Sequence, residues 1–462
     1  MTETLGNLLE TISGWVWGVP LLVLLMGTHL FLTIRPRFIQ RYLPRAIRLS
    51  LTRNAEGRGD ISQFGALTVA LAATIGTGNI VGVATAISLG GPGAVFWMWL
   101  TGILGMSTKY AEAILSVKYR VQNERGEMVG GPMYVLERGL KMRWLGLLFA
   151  FFTAVAAFGI GNMVQANALS TLVNETLGQF IGAENTFLTY APYITGIALS
   201  VLTALVLLGG IKSISRLCTK LVPFMAIFYV IGCVALLILN IETVPASLAL
   251  ILKSAFNGHA ATGGFVGATL AATMRYGVAR GMFSNESGLG SAPIVAAAAQ
   301  TRNPVRQALV SYTGTFWDTV VICLLTGLVI VNSTAWTQPH DVGTLTHQAF
   351  RGLGAFGPVL LSVGMITFVF STILGWSYYG EKSIEYLFGI KAITPYRIFW
   401  VLAIMAGAVI NLDLVWNFAD IANGLMAAPN LLTLILLSGV AVAETRKYLW
   451  EGNIDQQEQT PE

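Results

Sequence analysis

Charge is what this sequence has least of. Only 11% of its 462 residues are Asp, Glu, Lys or Arg, while 54% are apolar and the mean hydropathy is +0.66. A soluble globular protein carries about 25% charged residues. So little charge cannot coat a water-soluble particle of 49.6 kDa, which argues against a soluble multidomain enzyme. The relevant unit becomes the membrane helix of about 20 apolar residues. Cysteine is scarce as well. Cys218, Cys233 and Cys323 lie in apolar runs without close spacing, so they read as small core residues, not disulfides or a metal site. Nucleophile elbow, P-loop, HExxH and paired catalytic carboxylates are missing, which weighs against a membrane enzyme and an ATP-driven pump. His29, His259, His340 and His347 have no metal-ligand spacing. The first apolar run follows an acidic start without a basic leader or cleavage site, and is expected to be a retained span.

Eleven apolar stretches are present, at about 12–34, 62–88, 92–117, 144–172, 191–211, 217–243, 262–284, 307–332, 356–378, 396–411 and 415–443. They are too long and too uniformly apolar for the alternating ten-residue strands of a membrane barrel, so an all-α integral membrane fold is expected. The net charge of +5 follows from topology. Of 28 Lys and Arg residues, 23 fall in the segments 35–58, 118–143, 212–220, 302–306, 382–397 and 446–447, all on one side of the alternating count. Basic loops face the cytoplasm, which places the N-terminus outside and the C-terminus inside. No basic stripe with interleaved aromatics points to nucleic acid.

Two stretches are interrupted. The second holds Thr74-Ile75-Gly76-Thr77-Gly78-Asn79-Ile80-Val81-Gly82. The seventh holds Thr273-Met274-Arg275-Tyr276-Gly277, followed by Arg280 and the run Ser284–Pro293. Glycine weakens a helix and permits unusual backbone angles. An unwound segment in lipid must line a cavity, where its half-helix end faces an anion and its free carbonyls face a cation. Close-packing glycines of the small-xxx-small type are the competing explanation for Gly78 and Gly82. The two interruptions lie five stretches apart and run in opposite directions, the signature of an inverted-repeat transporter. The expected division is 1–60 (an extra helix and a basic cytoplasmic segment), 61–243 and 244–445 (two five-helix repeats), and 446–462 (a cytoplasmic tail).

The segments Gly76–Gly82, Gly90–Ala94, Gly130–Tyr134 and above all Gly277–Pro293 resemble the alanine/glycine:cation symporters, also called sodium:alanine symporters, of the amino acid–polyamine–organocation superfamily. The resemblance implies a fold of the leucine-transporter type with one extra N-terminal helix. It also implies uptake of alanine or glycine driven by Na⁺ or H⁺, with no cofactor besides the coupling ion and no obligate protein partner. The alternatives are a symporter of the same fold for another solute, or a channel. The tail 451–462 matches no familiar motif.

A small zwitterion needs donors for its carboxylate and acceptors for its ammonium. The N–H groups around Thr77, Gly78 and Asn79 suit the first, and the carbonyls of Thr273 and Met274 the second. In the fourth stretch Asn162, Gln165 and Asn167 are costly amides in lipid. Gln165 is expected at the substrate, with interhelical glue as the alternative. In the ninth, Ser371 and Thr372 resemble the hydroxyl pair that closes a Na⁺ site in this fold class. Ala72, Ile75 and Phe368 complete the candidate ligands, and Trp376 would cap a small side chain. The alternative is that the two hydroxyls bond their own helix carbonyls. Asp318 in the eighth stretch is expected to pair with Arg275 or Arg280, or to relay a proton. Glu286 with Arg280 is a candidate inner gate, and Lys109 with Glu112 a candidate local pair. The topology has a direct test: a tag at the N-terminus is expected to be accessible only from outside the cell and one at the C-terminus only from inside, and a cytoplasmic N-terminal tag would overturn the count.

Overall fold

The computed structural model describes residues 2–52, 57–182, 184–257, 269–337, 342–354, 356–410 and 413–458. Helices occupy every one of the eleven apolar stretches. The principal ones are α1 (Thr2–Val16), α2 (Val19–Ile34), α3 (Gln63–Thr74), α4 (Val81–Gly90), α5 (Ala94–Lys118), α6 (Arg143–Phe158), α7 (Val164–Ile181), α8 (Phe187–Leu207), α9 (Gly210–Leu239), α10 (Leu270–Asn285), α11 (Pro304–Thr315), α12 (Leu324–Asn332), α13 (Phe356–Phe388), α14 (Ile393–Val409) and α15 (Asp413–Leu436). Among the described residues, seven helices are long and apolar enough to cross a bilayer, and eight if the bent pair Val19–Ile34 and Ile39–Ser50 is one span. The other stretches fall short for physical reasons. The second is split into α3 and α4, α5 carries Lys109, Glu112 and Lys118, and α10 is 16 residues long. The first stretch is itself interrupted at Trp17–Gly18, ahead of Pro20 at the start of α2.

α5 forms the centre, packed against α10 and α11. α3 lies between α9 and α13, α4 against α10, and α6 between α13 and α15. The large residues Trp376, Trp400, Tyr110 and Tyr379 are fully buried, while exposed apolar side chains recur along α2, α8, α9 and α14 among others, as expected of faces turned to lipid.

The broken second stretch starts and stops for local reasons. Ser62 caps α3 by accepting from the Gly65 amide at 3.0 Å, which satisfies one of the donors a helix start leaves open. The helix ends at Ile75 (ψ 90°), Gly76 is extended, and a single turn Thr77–Asn79 leads into α4.

The seventh stretch breaks elsewhere than expected. α10 runs unbroken through Thr273–Gly277, with its N-terminus capped by the Thr269 hydroxyl. Its glycines are packing positions: a Cβ on Gly277 would lie 2.5 Å from the Ala94 carbonyl, and one on Gly281 would lie 2.3 Å from the Thr101 hydroxyl. Helix geometry is lost at Glu286, which is left-handed (φ 56°). Gly288 (φ 90°) and Gly290 (φ 85°) continue the turn until the short helix Pro293–Ala296. Positive φ is what glycine supplies without steric cost.

Glu112 on α5 holds this second break. One carboxylate oxygen accepts from the Gly288 amide at 3.0 Å, the Gly290 amide at 3.2 Å and the Asn430 side chain at 2.7 Å, and Asn430 also donates to the Gly288 carbonyl at 2.9 Å. The Lys109 ammonium has no hydrogen bond among the described residues, so its pairing with Glu112 is electrostatic and not hydrogen-bonded. Removing one member of a buried ionic network costs about 3–5 kcal/mol. Glu112→Ala is therefore expected to lower the thermal unfolding temperature in detergent sharply, and Glu112→Gln, which keeps an acceptor, by clearly less. Equal, small shifts for both would contradict this role.

Candidate functional site

Three elements converge on the first break. The Gln165 carbonyl oxygen accepts from the Thr77 amide at 3.3 Å, and its NH₂ donates to the Ile160 carbonyl at 3.0 Å. That carbonyl belongs to a π-helical turn, Gly159–Met163. Such a bulge displaces carbonyls from the regular ladder and recurs at functional sites. Here it orients an amide at the break. The other two amides of the fourth stretch act as glue: Asn162 donates to the Trp400 carbonyl at 2.8 Å, and Asn167 to those of Gly407 and Ile410.

On the other side, Thr372 of α13 donates its hydroxyl to the Ala72 carbonyl at 3.0 Å and the Ile75 carbonyl at 3.3 Å. These are carbonyls that the end of α3 leaves without helical partners. A Cβ on Gly76 would lie 2.5 Å from the Thr372 hydroxyl and 3.3 Å from the Gln165 oxygen, so only glycine leaves all three together. Ser371 differs from Thr372: it donates to the Phe368 carbonyl at 2.9 Å and contacts the Met225 sulfur at 3.4 Å. Within its own helix it follows the backbone-bonding alternative, and Thr372 does not. One turn on, Trp376 is buried against the π turn, where a Cβ on Gly161 would fall 2.2 Å from the Trp376 Cβ.

Asn79 joins the break to the eighth stretch. Its side-chain oxygen accepts from the Gly76 amide at 2.9 Å, and its NH₂ donates to the Asp318 carboxylate at 2.7 Å. Asp318 also accepts from Ser284 at 2.9 Å and Thr319 at 2.7 Å, and it too sits in a π-helical turn, Phe316–Cys323. The Thr77 hydroxyl is buried without a hydrogen-bond partner among the described residues.

A family model described as the sodium:alanine symporter family matches residues 2–461. The chain belongs to that family. It is 50% identical over 453 residues to the sodium/alanine symporter AgcS of Methanococcus maripaludis, covering 96% of this chain and 97% of that one. It is also 50% identical over 461 residues to an uncharacterized transporter of Haemophilus influenzae, covering 99% of each. At 37% identity over 454 residues it matches the probable sodium/glutamine symporter GlnT of Bacillus subtilis, covering 97% of this chain and 91% of that one. Among solved structures, MhsT in complex with L-phenylalanine superposes with a TM-score of 0.60 at 15% identity, covering 86% of this chain and 95% of that one. That likeness concerns the fold, and it supports the leucine-transporter type. A member of the sodium:alanine symporter family is a multi-pass membrane transporter and not an enzyme.

Within this symporter fold, Thr77, Gly78, Asn79, Gln165, Ala72, Ile75 and Thr372 lie together around the first break, with Trp376 packed on the adjoining π turn. Thr273 and Met274 do not. They sit inside α10, where Thr273 donates to the Gly90 carbonyl at 2.8 Å and Met274 is 37% exposed. The part of the seventh stretch that meets the break is Phe283–Ser284, within 3.1–3.3 Å of a Cβ on Gly78. The charged pairs differ as well. Asp318 bonds Asn79, Ser284 and Thr319 rather than an arginine. Arg280 lies 3.9 Å from Asp420, and Glu286 accepts from Ser291 at 2.5 Å, so no Arg280–Glu286 gate forms. Arg275 lies over the Tyr276 ring at 5.7 Å. Sequence reasoning missed Ser284 as a partner of Asp318 and Asn430 as a partner of Glu112, because each comes from another helix, and it missed Thr319, which bonds the Asp318 beside it in the same π turn.

Ala72 and Ile75 carbonyls and the Thr372 hydroxyl form a neutral oxygen cluster, and the fit to a weakly held monovalent cation has a test. Losing one hydrogen-bonding group costs about 1 kcal/mol, so Thr372→Ala is expected to raise the Na⁺ concentration for half-maximal uptake roughly fivefold. An unchanged Na⁺ dependence would contradict the ion role.

Proposed function

We propose that this chain couples Na⁺ entry to uptake of a small neutral amino acid, alanine or glycine, by alternating access. The observation that carries the proposal is the break at Ile75–Ile80, where open backbone groups meet Gln165 on one side and Thr372 on the other. The groups that meet its open backbone directly are amides and hydroxyls, and the buried Asp318 carboxylate reaches it only through Asn79, which suits a substrate with no net charge. In the proposed arrangement the N–H groups of Thr77 and Gly78, the unpartnered Thr77 hydroxyl and the Gln165 amide receive the carboxylate. Trp376, fixed against Gly161, limits the side chain to a methyl or a hydrogen. Na⁺ sits between the α3 carbonyls and Thr372, with Phe368 and Ser371 on the adjoining turn. It ties α13 to α3 and thereby shapes the break that holds the amino acid. Each ligand then raises the affinity for the other by the same factor.

The proposed setting is the cytoplasmic membrane of a prokaryote, with the N-terminus outside and the C-terminus inside, following the basic loops. The two five-helix repeats, 61–243 and 244–445, are part of the same proposal: each contains one of the two breaks.

A solute other than alanine is the second reading, favoured by the relative named as a glutamine symporter. Uptake of labelled alanine into proteoliposomes, with Na⁺ and H⁺ gradients imposed separately and with unlabelled alanine, glycine and glutamine as competitors, decides between them. Accumulation that follows the Na⁺ gradient and is blocked by alanine and glycine is expected. Failure of both to compete would end the substrate assignment, and uptake that never concentrates alanine would indicate a channel. Gln165→Ala is expected to raise the alanine KM roughly tenfold, equivalent to about 1.4 kcal/mol, and to shift the Na⁺ dependence less; the reverse pattern would reassign it.

A further inference from the structure

The segment 453–458, which no functional role above absorbs, is docked and not free. Ile454 is buried at 2% exposure. The Asn303 side chain donates to the carbonyls of Ile454 at 2.8 Å and Gln456 at 2.9 Å. Arg302 donates to the Asp455 carbonyl at 2.7 Å and accepts, through its own carbonyl, from the Glu458 amide at 2.7 Å. Asp455 makes an ion pair with Arg306. Gln457 and Glu458 line a cleft whose cations are Arg58, Lys118, Arg120 and Arg302.

These anchors lead to the first half of the broken helix. Arg306 also donates to Gln63, the first residue of α3, at 3.4 Å, and Gln63 donates to Thr301 at 3.0 Å. Just upstream of α3, the chain at Arg58–Ile61 bridges to Ala299–Thr301, the strand-like segment that leaves the second break. One end of both broken helices is therefore tied into one mat, and the tail lies on it.

We propose that segment 453–458 is a latch: docked in this basic cleft it holds α3 against α11 and keeps the inner side of the transporter closed, and its release frees α3 to move. The proposal rests on the orientation given above, which makes this face cytoplasmic. The chemistry fits its occupant. The tail carries Asp455, paired with Arg306 beside the cleft, and Glu458 within it; the cleft carries four cations against one carboxylate, Asp60, and the charges meet across a surface that water reaches, so the contact is reversible. A surface ion pair alone is weak; Ile454 and the Asn303 bonds supply the remainder.

The test reads the opening of α3 directly. Ala66→Cys places a thiol on α3, at a buried position, and the native cysteines are buried. In inside-out vesicles, a membrane-impermeant maleimide is expected to label this probe several-fold faster when residues 453–462 are deleted or Asp455→Arg is introduced. Combining Asp455→Arg with Arg306→Asp is expected to return labelling toward the parent rate, which a merely unfolded variant would not do. Parent-rate labelling in both the deletion and Asp455→Arg, or a double variant labelled as fast as the single one, would overturn the latch. Orientation is read separately: a Glu451→Cys probe reacting from outside intact cells would overturn the topology, whatever the latch variants do.

Discussion

A helix that stops inside a membrane leaves N–H and C=O groups that lipid cannot satisfy, and each costs several kcal/mol if left alone. The structure is organised around meeting that demand at two places. At the first break Gln165, Asn79 and Thr372 take the open groups of Ile75–Ile80 and the end of α3. At the second, Glu112 and Asn430 take those of Gly288 and Gly290. The two solutions differ in kind. The second uses a buried carboxylate and closes the turn on itself. The first meets its open groups directly with neutral amides and hydroxyls, with the Asp318 carboxylate standing behind Asn79, and the Thr77 hydroxyl has no hydrogen-bond partner among the described residues. A break satisfied by neutral, exchangeable partners can trade them for a zwitterion and a monovalent cation; a break satisfied by an embedded charge cannot do so cheaply.

The neighbouring helices adapt to this arrangement. Two of them carry π turns, Gly159–Met163 and Phe316–Cys323, and both turns face the breaks: one orients Gln165 through the Ile160 carbonyl, the other presents Asp318 to Asn79 and Ser284. Gly161 allows the Trp376 side chain to press on the first turn. Close backbone approach is a packing requirement in membrane proteins, and at Gly76 and Gly161 it also sets the size and polarity of the site.

Much of this was legible in the sequence, and the exceptions have physical causes. The Gly76-Thr77-Gly78-Asn79 break is held by a local contact, the Asn79 side chain on the Gly76 amide three residues back, and so a signal of it lies within the motif, beside the packing alternative that glycines also offer. Thr372 was legible only through the family resemblance, because a Ser-Thr pair in a helix bonds its own carbonyls as readily, as Ser371 does. The second break was misplaced at Thr273–Gly277. Its glycines looked like a breach but pack on Ala94 and Thr101 of α5, and no local pattern separates a packing glycine from a breaking one. The true break lies in the Ser284–Pro293 run, whose glycines were visible but whose partner, Glu112, comes from a helix 176 residues away. For Asp318 an arginine is the obvious countercharge, whereas the folded chain supplies three neutral donors: Asn79 and Ser284 from other helices, and the adjacent Thr319.

The central claim is that one cation, held by α3 and Thr372, shapes the break that holds the amino acid. Alanine binding to the purified protein, measured by calorimetry across a series of Na⁺ concentrations, and Na⁺ binding, measured across a series of alanine concentrations, test it most directly. The account requires that Na⁺ tighten alanine binding and that alanine tighten Na⁺ binding by the same factor. Alanine affinity that is indifferent to Na⁺ would contradict it.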